Sequence, residues 1–274
     1  MNTSSRAYDV NDPEFIREKE LQRLQAQALL FWEKEVRKLG SFGLRDGMRI
    51  LEVGSGPGFI TEQLLRMLPH SSVTGVEIDA SLIRDATSYL RKNGFDRFDL
   101  TQASIMDSHL PVEHFDFALA RLVFQHLPDP EGAARQILKT LKPGGKLVVA
   151  DIDLALMGII DPLPLEYPAL RAKHERFIAE RGSNRRIGRR LWRILSAAGF
   201  ENLDLELAAA HSDAAGIAAF QAEFDPETLL PLVGLGVLTR EDVEAAQRMR
   251  DEFLARDPYI LVPLIMVCGQ RPKK

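Results

Sequence analysis

Between residues 48 and 153 the chain alternates short apolar, β-branched runs with stretches of helical spacing. The strand-like runs are Met48–Val53, Val73–Ile78, Phe98–Ala103, Phe115–Ala120 and Lys146–Ile152. Ile60–Leu68, Ser81–Lys92 and Glu131–Leu141 between them repeat apolar residues every three or four positions. Strands apolar on both faces and separated by helices predict a parallel sheet covered on both sides. The βαβαβ order predicts a doubly wound α/β fold whose ligand crevice lies beyond the carboxyl ends of the strands. Upstream, Asp12-Pro13 has the form of a helix start. Ile16, Leu24, Ala28, Phe31, Trp32 and Val36 then recur at roughly helical spacing to Leu39, with Gly40 and Gly43 as stops. One or two helices outside the sheet are expected there.

Downstream, an irregular stretch with Pro162, Pro164 and Pro168 precedes a helix over 186–198, whose Ile187, Leu191, Ile194, Leu195 and Ala198 share one face. Glu201–Ala209 alternates like a strand, with Leu203, Leu205 and Leu207 on one side, and Tyr259–Gly269 reads as the last strand. The segment between them, about 211–258, has a helical pattern over Glu241–Ala255 and is too long for a hairpin loop. Three regions follow: an N-terminal helical cap (1–45), a core (46–155), and the rest of the sheet (156–274). Insertions at about 156–185 and 211–258 are expected to form a lid over the crevice.

Composition narrows the class. The 274 residues are 45% hydrophobic and 27% charged, which excludes a disordered or fibrous chain. A net charge of −4 argues against a general grip on nucleic acid. The one cysteine, Cys268, excludes an internal disulfide framework and a Cys-based zinc cluster, and suits a reducing compartment. The apolar run Tyr259–Gly269 is interrupted by Pro263 and is too short to cross a bilayer, and Met1–Ser5 is polar. A cytoplasmic globular protein without a membrane partner is expected.

The candidate chemistry sits in Ile50-Leu51-Glu52-Val53-Gly54-Ser55-Gly56-Pro57-Gly58-Phe59, a buried strand entering a glycine loop and then a helix. Glycines allow positive φ and close approach of a ligand to the backbone, and the helix start presents free N–H groups. The spacing is G-x-G-x-G, not the G-x-G-x-x-G of dinucleotide sites. Glu52 would repel a pyrophosphate and attract an ammonium. Glu77, at the end of the second strand, can accept two hydrogen bonds from a ribose diol. One acid for an amino group and one for a ribose fit S-adenosylmethionine better than NAD.

With these residues the chain resembles the class I S-adenosylmethionine-dependent methyltransferases of the small-molecule type. Glu52–Gly58 is similar to the family's first motif and Glu77 to its ribose acid. Phe115–Arg121 is similar to the fourth strand, and Leu141-Lys142-Pro143-Gly144-Gly145 to the turn before the fifth. Glu20–Gln27 resembles the E-x-x-R-L-x-x-Q of a subgroup whose first helix closes over the cofactor. The resemblance implies a seven-stranded Rossmann-like sheet. It implies S-adenosyl-L-methionine as cofactor, with Tyr8, Arg23 and Gln27 at its methionine end. Glu52, Gly54, Ser55, Gly56, Gly58, Glu77, Ile78, Ile105 and Arg121 complete the implied cofactor set. Where the family has an acid for the adenine amino group this chain has Ser104, with Asp107 three residues on.

His126, beyond the fourth strand, is the candidate general base for the acceptor's proton; packing under its loop is the alternative. His174 and His211 are weaker candidates, and no histidine spacing suggests a metal. Arg181, Arg185, Arg186, Arg189, Arg190 and Arg193 are read as a solvated helix face, with an anion site as the sharper alternative. Tyr167, Trp192, Phe220 and Phe224 line either an aromatic pocket or the core. The expected function is methyl transfer to an O or N nucleophile of a small organic molecule of secondary-metabolite type, and a homodimer is compatible with it. The alternatives are a relative that binds the cofactor without transferring methyl, as a cyclisation catalyst or regulator, and a nucleotide-dependent oxidoreductase.

Overall fold

The computed structural model describes residues 17–107, 109–156, 159–221 and 225–274. Eight strands form one sheet: β1 (Arg49–Val53), β2 (Ser72–Glu77), β3 (Phe98–Gln102), β4 (Phe115–Arg121), β5 (Leu141–Asp151), β6 (Ile159–Asp161), β7 (Glu201–His211) and β8 (Tyr259–Gln270). Their order is β3-β2-β1-β4-β5-β8-β6, with β7 also paired to β8. β1 to β5 run parallel, and β8 is antiparallel to β5, β6 and β7. The predicted doubly wound sheet therefore has eight strands where seven were expected. The addition is β6, from the stretch read as irregular, which pairs with β8 where β5 has ended (Ile159 opposite Leu261, Asp161 opposite Tyr259).

The helices are α1 (Arg17–Leu30), α2 (Trp32–Phe42), α3 (Phe59–Met67), α4 (Ala80–Lys92), α5 (Pro130–Thr140), α6 (Tyr167–Glu180) and α7 (Leu191–Ala197). Three short ones follow, α8 (Ser212–Ala215), α9 (Ala218–Gln221) and α10 (Leu230–Gly234), and then α11 (Arg240–Leu254). The expected start at Asp12-Pro13 lies outside the described residues. Period-2 alternation splits the sheet's apolar residues between two cores. Ile50, Val73, Phe117 and Val148 pack with Leu39 of α2 and Leu64 of α3. Leu51, Val53, Ala118 and Val149 pack with Ile137 of α5 and Leu195 of α7. Each fully buried Leu, Ile or Val among them contributes about 1.5–3 kcal/mol.

Helix ends follow local chemistry. The Asp79 carboxylate caps α4, accepting from Ser81 N–H (2.6 Å), and Asp129 caps α5 ahead of Pro130. Thr239 and Asp242 form a capping box on α11. α2 passes through Gly40 and stops at Gly43, whose φ of 108° a helix cannot continue. Pro168 is no breaker: it lies in the first turn of α6, where its missing N–H costs nothing. The helix expected over 186–198 begins as a 3₁₀ turn (Ile187–Arg190). There Gly188 N–H donates to Ile152 O (3.0 Å) and Arg189 N–H to Asp153 Oδ2 (3.3 Å), partners outside the helix. On β7, Leu203 packs against the second core while Leu205 and Leu207 stay half exposed; the buried positions are Ala208 and Ala210.

The first core extends past the sheet. Ala28 and Phe31, at the junction of the N-terminal helices, join Leu122, Tyr167, Ile217, Phe220, Phe253 and Leu254. The N-terminal helices and both C-terminal insertions thus meet beyond the carboxyl ends of the parallel strands, and Lys173 of α6 pairs with Asp242 of α11 at 2.7 Å.

Candidate active site

β1 delivers its backbone into the Gly54–Gly58 loop, where Gly54, Gly56 and Gly58 have φ of 72°, 52° and 84°. L side chains rarely adopt that region. Gly54 N–H (2.7 Å) and Ser55 N–H (3.3 Å) both donate to Val76 O, tying the loop to β2. A Cβ on Gly54 would overlap Val123 Cγ2, and one on Gly58 would lie 3.0 Å from Ala86 Cβ. Gly56 has nothing within 4 Å of the corresponding point. The middle glycine faces open space.

The Glu77 carboxylate is fixed beside it. It accepts from Gly56 N–H (3.0 Å), Ile78 N–H (2.8 Å) and Asp79 N–H (3.1 Å). Burial raises its pKa and these donors oppose the rise. Ile78 leaves 66% of its surface exposed next to this carboxylate. Glu52 instead turns into α3 and accepts from the Thr61 hydroxyl at 2.6 Å. Burial pushes its pKa up to about 8 against the pull of Thr61 and Arg121, which favours the protonated carboxyl near neutral pH. Ser55 Oγ is buried without a hydrogen-bond partner among the described residues.

The remaining cofactor candidates divide. Ser104 Oγ accepts from Met106 N–H (3.2 Å), Ile105 is buried in the second core, and Asp107 is exposed and pairs with His109 (3.1 Å). Arg23 and Gln27 lie one turn apart on the same face of α1, both half-buried. Tyr8 lies outside the described residues. Arg121 does not face the loop as a lone cation: it forks onto Glu35 of α2 at 2.8–3.1 Å.

Across β4 and β5 the structure assembles a polar wall. His126, on a 3₁₀ turn after β4, lies 3.2 Å through Nδ1 from Ser183 Oγ. Burial, with a smaller push from Arg185, lowers its pKa to about 4; the same causes lower that of His174 to about 4. Asp151, at the end of β5, is fully buried and accepts from Gln125 N–H (3.0 Å) and Ile152 N–H (2.9 Å), and burial raises its pKa to about 7. Asn184 N–H donates to Gln125 O (2.7 Å) and Leu154 N–H to Arg185 O (2.7 Å), which fastens residues 183–185 to both strand ends. Asp151, Gln125 and Ser183 are not among the site residues expected from the sequence. An acid closing the apolar run Leu147–Ala150 was the available signal for Asp151. His211 sits apart, its ring 6.0 Å from that of Tyr259.

The arginine run is mostly occupied on the surface. Arg189 grips Asp153, Arg186 pairs with Glu175 (2.7 Å), and Arg181 covers the Phe177 ring. Of the aromatic candidates, Tyr167 and Phe220 join the first core, Trp192 stands 43% exposed on α7, and Phe224 lies outside the described residues. No cluster of metal-ligating side chains exists among the described residues.

Residues 44–186, just over half of the chain, match the family model of a methyltransferase domain. The chain belongs to that methyltransferase family. It is 30% identical over 129 residues to the ubiquinone/menaquinone biosynthesis C-methyltransferase UbiE of Vibrio campbellii, covering 46% of this chain and 49% of the relative. It is 34% identical over 111 residues to the trans-aconitate 2-methyltransferase of Rhodopseudomonas palustris, covering 40% and 41%. The match spans about half the length of the first of these relatives and less of the second. Among solved structures, phosphoethanolamine N-methyltransferase 2 of Haemonchus contortus superposes with a TM-score of 0.58 at 17% identity, over 88% of this chain and 53% of that one. The [4+2]-cyclase SpnF superposes at 0.55 and 23% identity, over 84% and 78%. These likenesses show the fold of class I S-adenosylmethionine-dependent methyltransferases.

The methyltransferase loop fits that cofactor on its own geometry. An open position over Gly56, a carboxylate anchored beside it and an uncovered apolar side chain at Ile78 match a ribose with its adenine. Glu52 also leaves a mark on stability. Its folded pKa lies above its unfolded value near 4.5, so its stabilising contribution is complete below that value and is lost as pH climbs through 8. Glu52→Gln, which cannot ionise, is expected to gain stability relative to the parent between pH 5 and pH 8 in urea melts. A difference that stays constant with pH would contradict the neutral carboxyl.

Proposed function

We propose that this methyltransferase transfers the methyl group of S-adenosylmethionine to an oxygen or nitrogen nucleophile of a small organic molecule of secondary-metabolite type. The observation that carries the reading is the Glu77 carboxylate, held by three backbone N–H groups beside the open face of Gly56. Glu77 would accept hydrogen bonds from the ribose hydroxyls, Ile78 would pack against the adenine, and Arg23 and Gln27 would reach the methionine end. The cofactor supplies an activated methyl on a sulfonium. The protein then has to hold the nucleophile in line with it, and such positioning is worth ~7–11 kcal/mol. The N-terminal helices and the 156–185 and 211–258 segments serve as the lid that excludes water.

His126 takes the acceptor's proton. Its low pKa keeps the imidazole uncharged and able to accept near neutral pH, and Ser183 Oγ at Nδ1 orients the ring. An acceptor that arrives ionised, such as a carboxylate, needs little from a base, whereas one that keeps its proton at neutral pH needs one. His126→Ala is expected to lower kcat roughly 100-fold or more, within the usual range for a general base, and to leave the Kd for S-adenosylhomocysteine near that of the parent. Single-turnover kinetics with calorimetry check both, and an unchanged kcat removes His126 from the reaction. The whole reading is tested by transfer of radiolabelled methyl from S-adenosylmethionine into a panel of phenols, carboxylic acids and amines. Tight binding of the cofactor with no label in any acceptor would overturn it in favour of a non-transferring relative.

A further inference from the structure

Arg121 is the last residue of β4, and its guanidinium sits in the corner between α1 and α2. Nε lies 2.9 and 3.1 Å from the two carboxylate oxygens of Glu35, and Nη2 lies 2.8 Å from Oε1. Nη2 also donates to Gln27 O (3.0 Å) and Ala28 O (3.4 Å). These carbonyls belong to the last turn of α1, where the helix leaves its acceptors unsatisfied and carries its negative end. Glu35 lies in the first turn of α2, where an acid meets the positive end of that helix. One guanidinium thus closes the α1–α2 corner from both sides. Glu35 has no exposed surface, and Arg121 keeps 8%.

The same strand end is coupled to the glycine loop. Leu122, directly after Arg121, holds a φ of 58° with its N–H on Ala150 O (2.8 Å). That kink turns Val123 so that its Cγ2 fills the place a Cβ on Gly54 would take. Ala28 packs in one core cluster with Ile60 and Leu64 of α3, the helix that starts from the loop. A continuous set of contacts therefore runs from Gly54 through Val123, Leu122 and Arg121 to Glu35 and the end of α1.

We propose that the Arg121–Glu35 pair is a positioning latch: it sets α1, with Arg23 and Gln27, against the cofactor loop, so that cofactor affinity depends on Glu35, a side chain no ligand can touch. The inference rests on the cofactor reading given above.

Isothermal titration with S-adenosylhomocysteine on Glu35→Gln, Arg121→Gln and the double variant, all well below their melting temperatures, tests it. Each single variant is expected to bind roughly tenfold more weakly, a common size for coupling between sites. The double variant should bind no worse than the weaker single, because the two changes break one interaction. Trypsin should also cut α1 at Arg23 faster in all three. A Glu35→Gln protein that is less stable but binds with the parental Kd overturns the latch and leaves the pair a structural one. Additive losses overturn it too, because Arg121 would then contact the ligand itself. If a glutamine variant does not fold, Arg121→Lys takes its place: it keeps the charge, loses the fork, and should show the same weakening. Failure of the parent protein to bind S-adenosylhomocysteine would instead sink the cofactor reading and the latch with it.

Discussion

Gly54→Ala should unfold at clearly lower urea concentration than both the parent and Gly56→Ala, while Gly56→Ala should lose only the stability its own backbone strain costs and should lose its ligand. Both residues lie in the left-handed region, at φ of 72° and 52°, where a Cβ costs ~1–2 kcal/mol. They differ in their neighbours. The new methyl at position 54 would meet Val123 Cγ2, on a β-branched side chain with few rotamers to retreat into, which adds the ~1–3 kcal/mol typical of overpacking. The methyl at position 56 would meet nothing within 4 Å, but it would stand where the backbone must be approached closely. Urea melts and titration with S-adenosylhomocysteine on the two variants give a crossed pattern. Two variants equally unstable, with equal ligand affinity, would contradict the assignment of the open face to Gly56.

Glu77→Ala is expected to reduce affinity for S-adenosylmethionine by ~100-fold or more, about 3 kcal/mol at 1.4 kcal/mol per factor of ten. The carboxylate orders the loop by accepting from Gly56, Ile78 and Asp79, and it presents its remaining lone pairs to a diol. Removing it strands those donors and leaves the ribose hydroxyls without a charged acceptor. Glu77→Gln keeps one carbonyl oxygen but sets an NH2 against N–H groups, so it should fall between the parent and alanine. Calorimetric Kd values check the order, and parental affinity in Glu77→Ala would remove the ribose assignment.

β1 to β5 and the glycine loop were legible because strands buried on both faces read as continuous apolar runs and because the loop chemistry demands glycine. Other features depend on partners distant in sequence. Glu35 sits between Phe31 and Leu39 at four-residue spacing, on the buried stripe of α2. That spacing was visible, but an acid on an amphipathic helix reads as solvent-facing until Arg121 arrives from β4. Pro168 reads as a breaker unless it is known to fall in a first turn, so α6 was missed. Leu205 and Leu207 alternate as a buried face should, but β7 pairs with β8 alone among the described residues and the cover ends near Leu203. His126 was singled out in the sequence, but its grouping with Asp151 and Ser183 could not be read, since the three come from separate elements.

β8 is the last strand in chain order but an interior one in space, hydrogen-bonded along its length to β5, β6 and β7. During synthesis, then, β6 and β7 are made long before anything exists for them to pair with. The first five strands can assemble as a parallel half-sheet while residues 201–211 wait. Until 259–270 leave the ribosome, the exposed flank of β5 and the leucine-rich 203–207 run are open to other nascent chains.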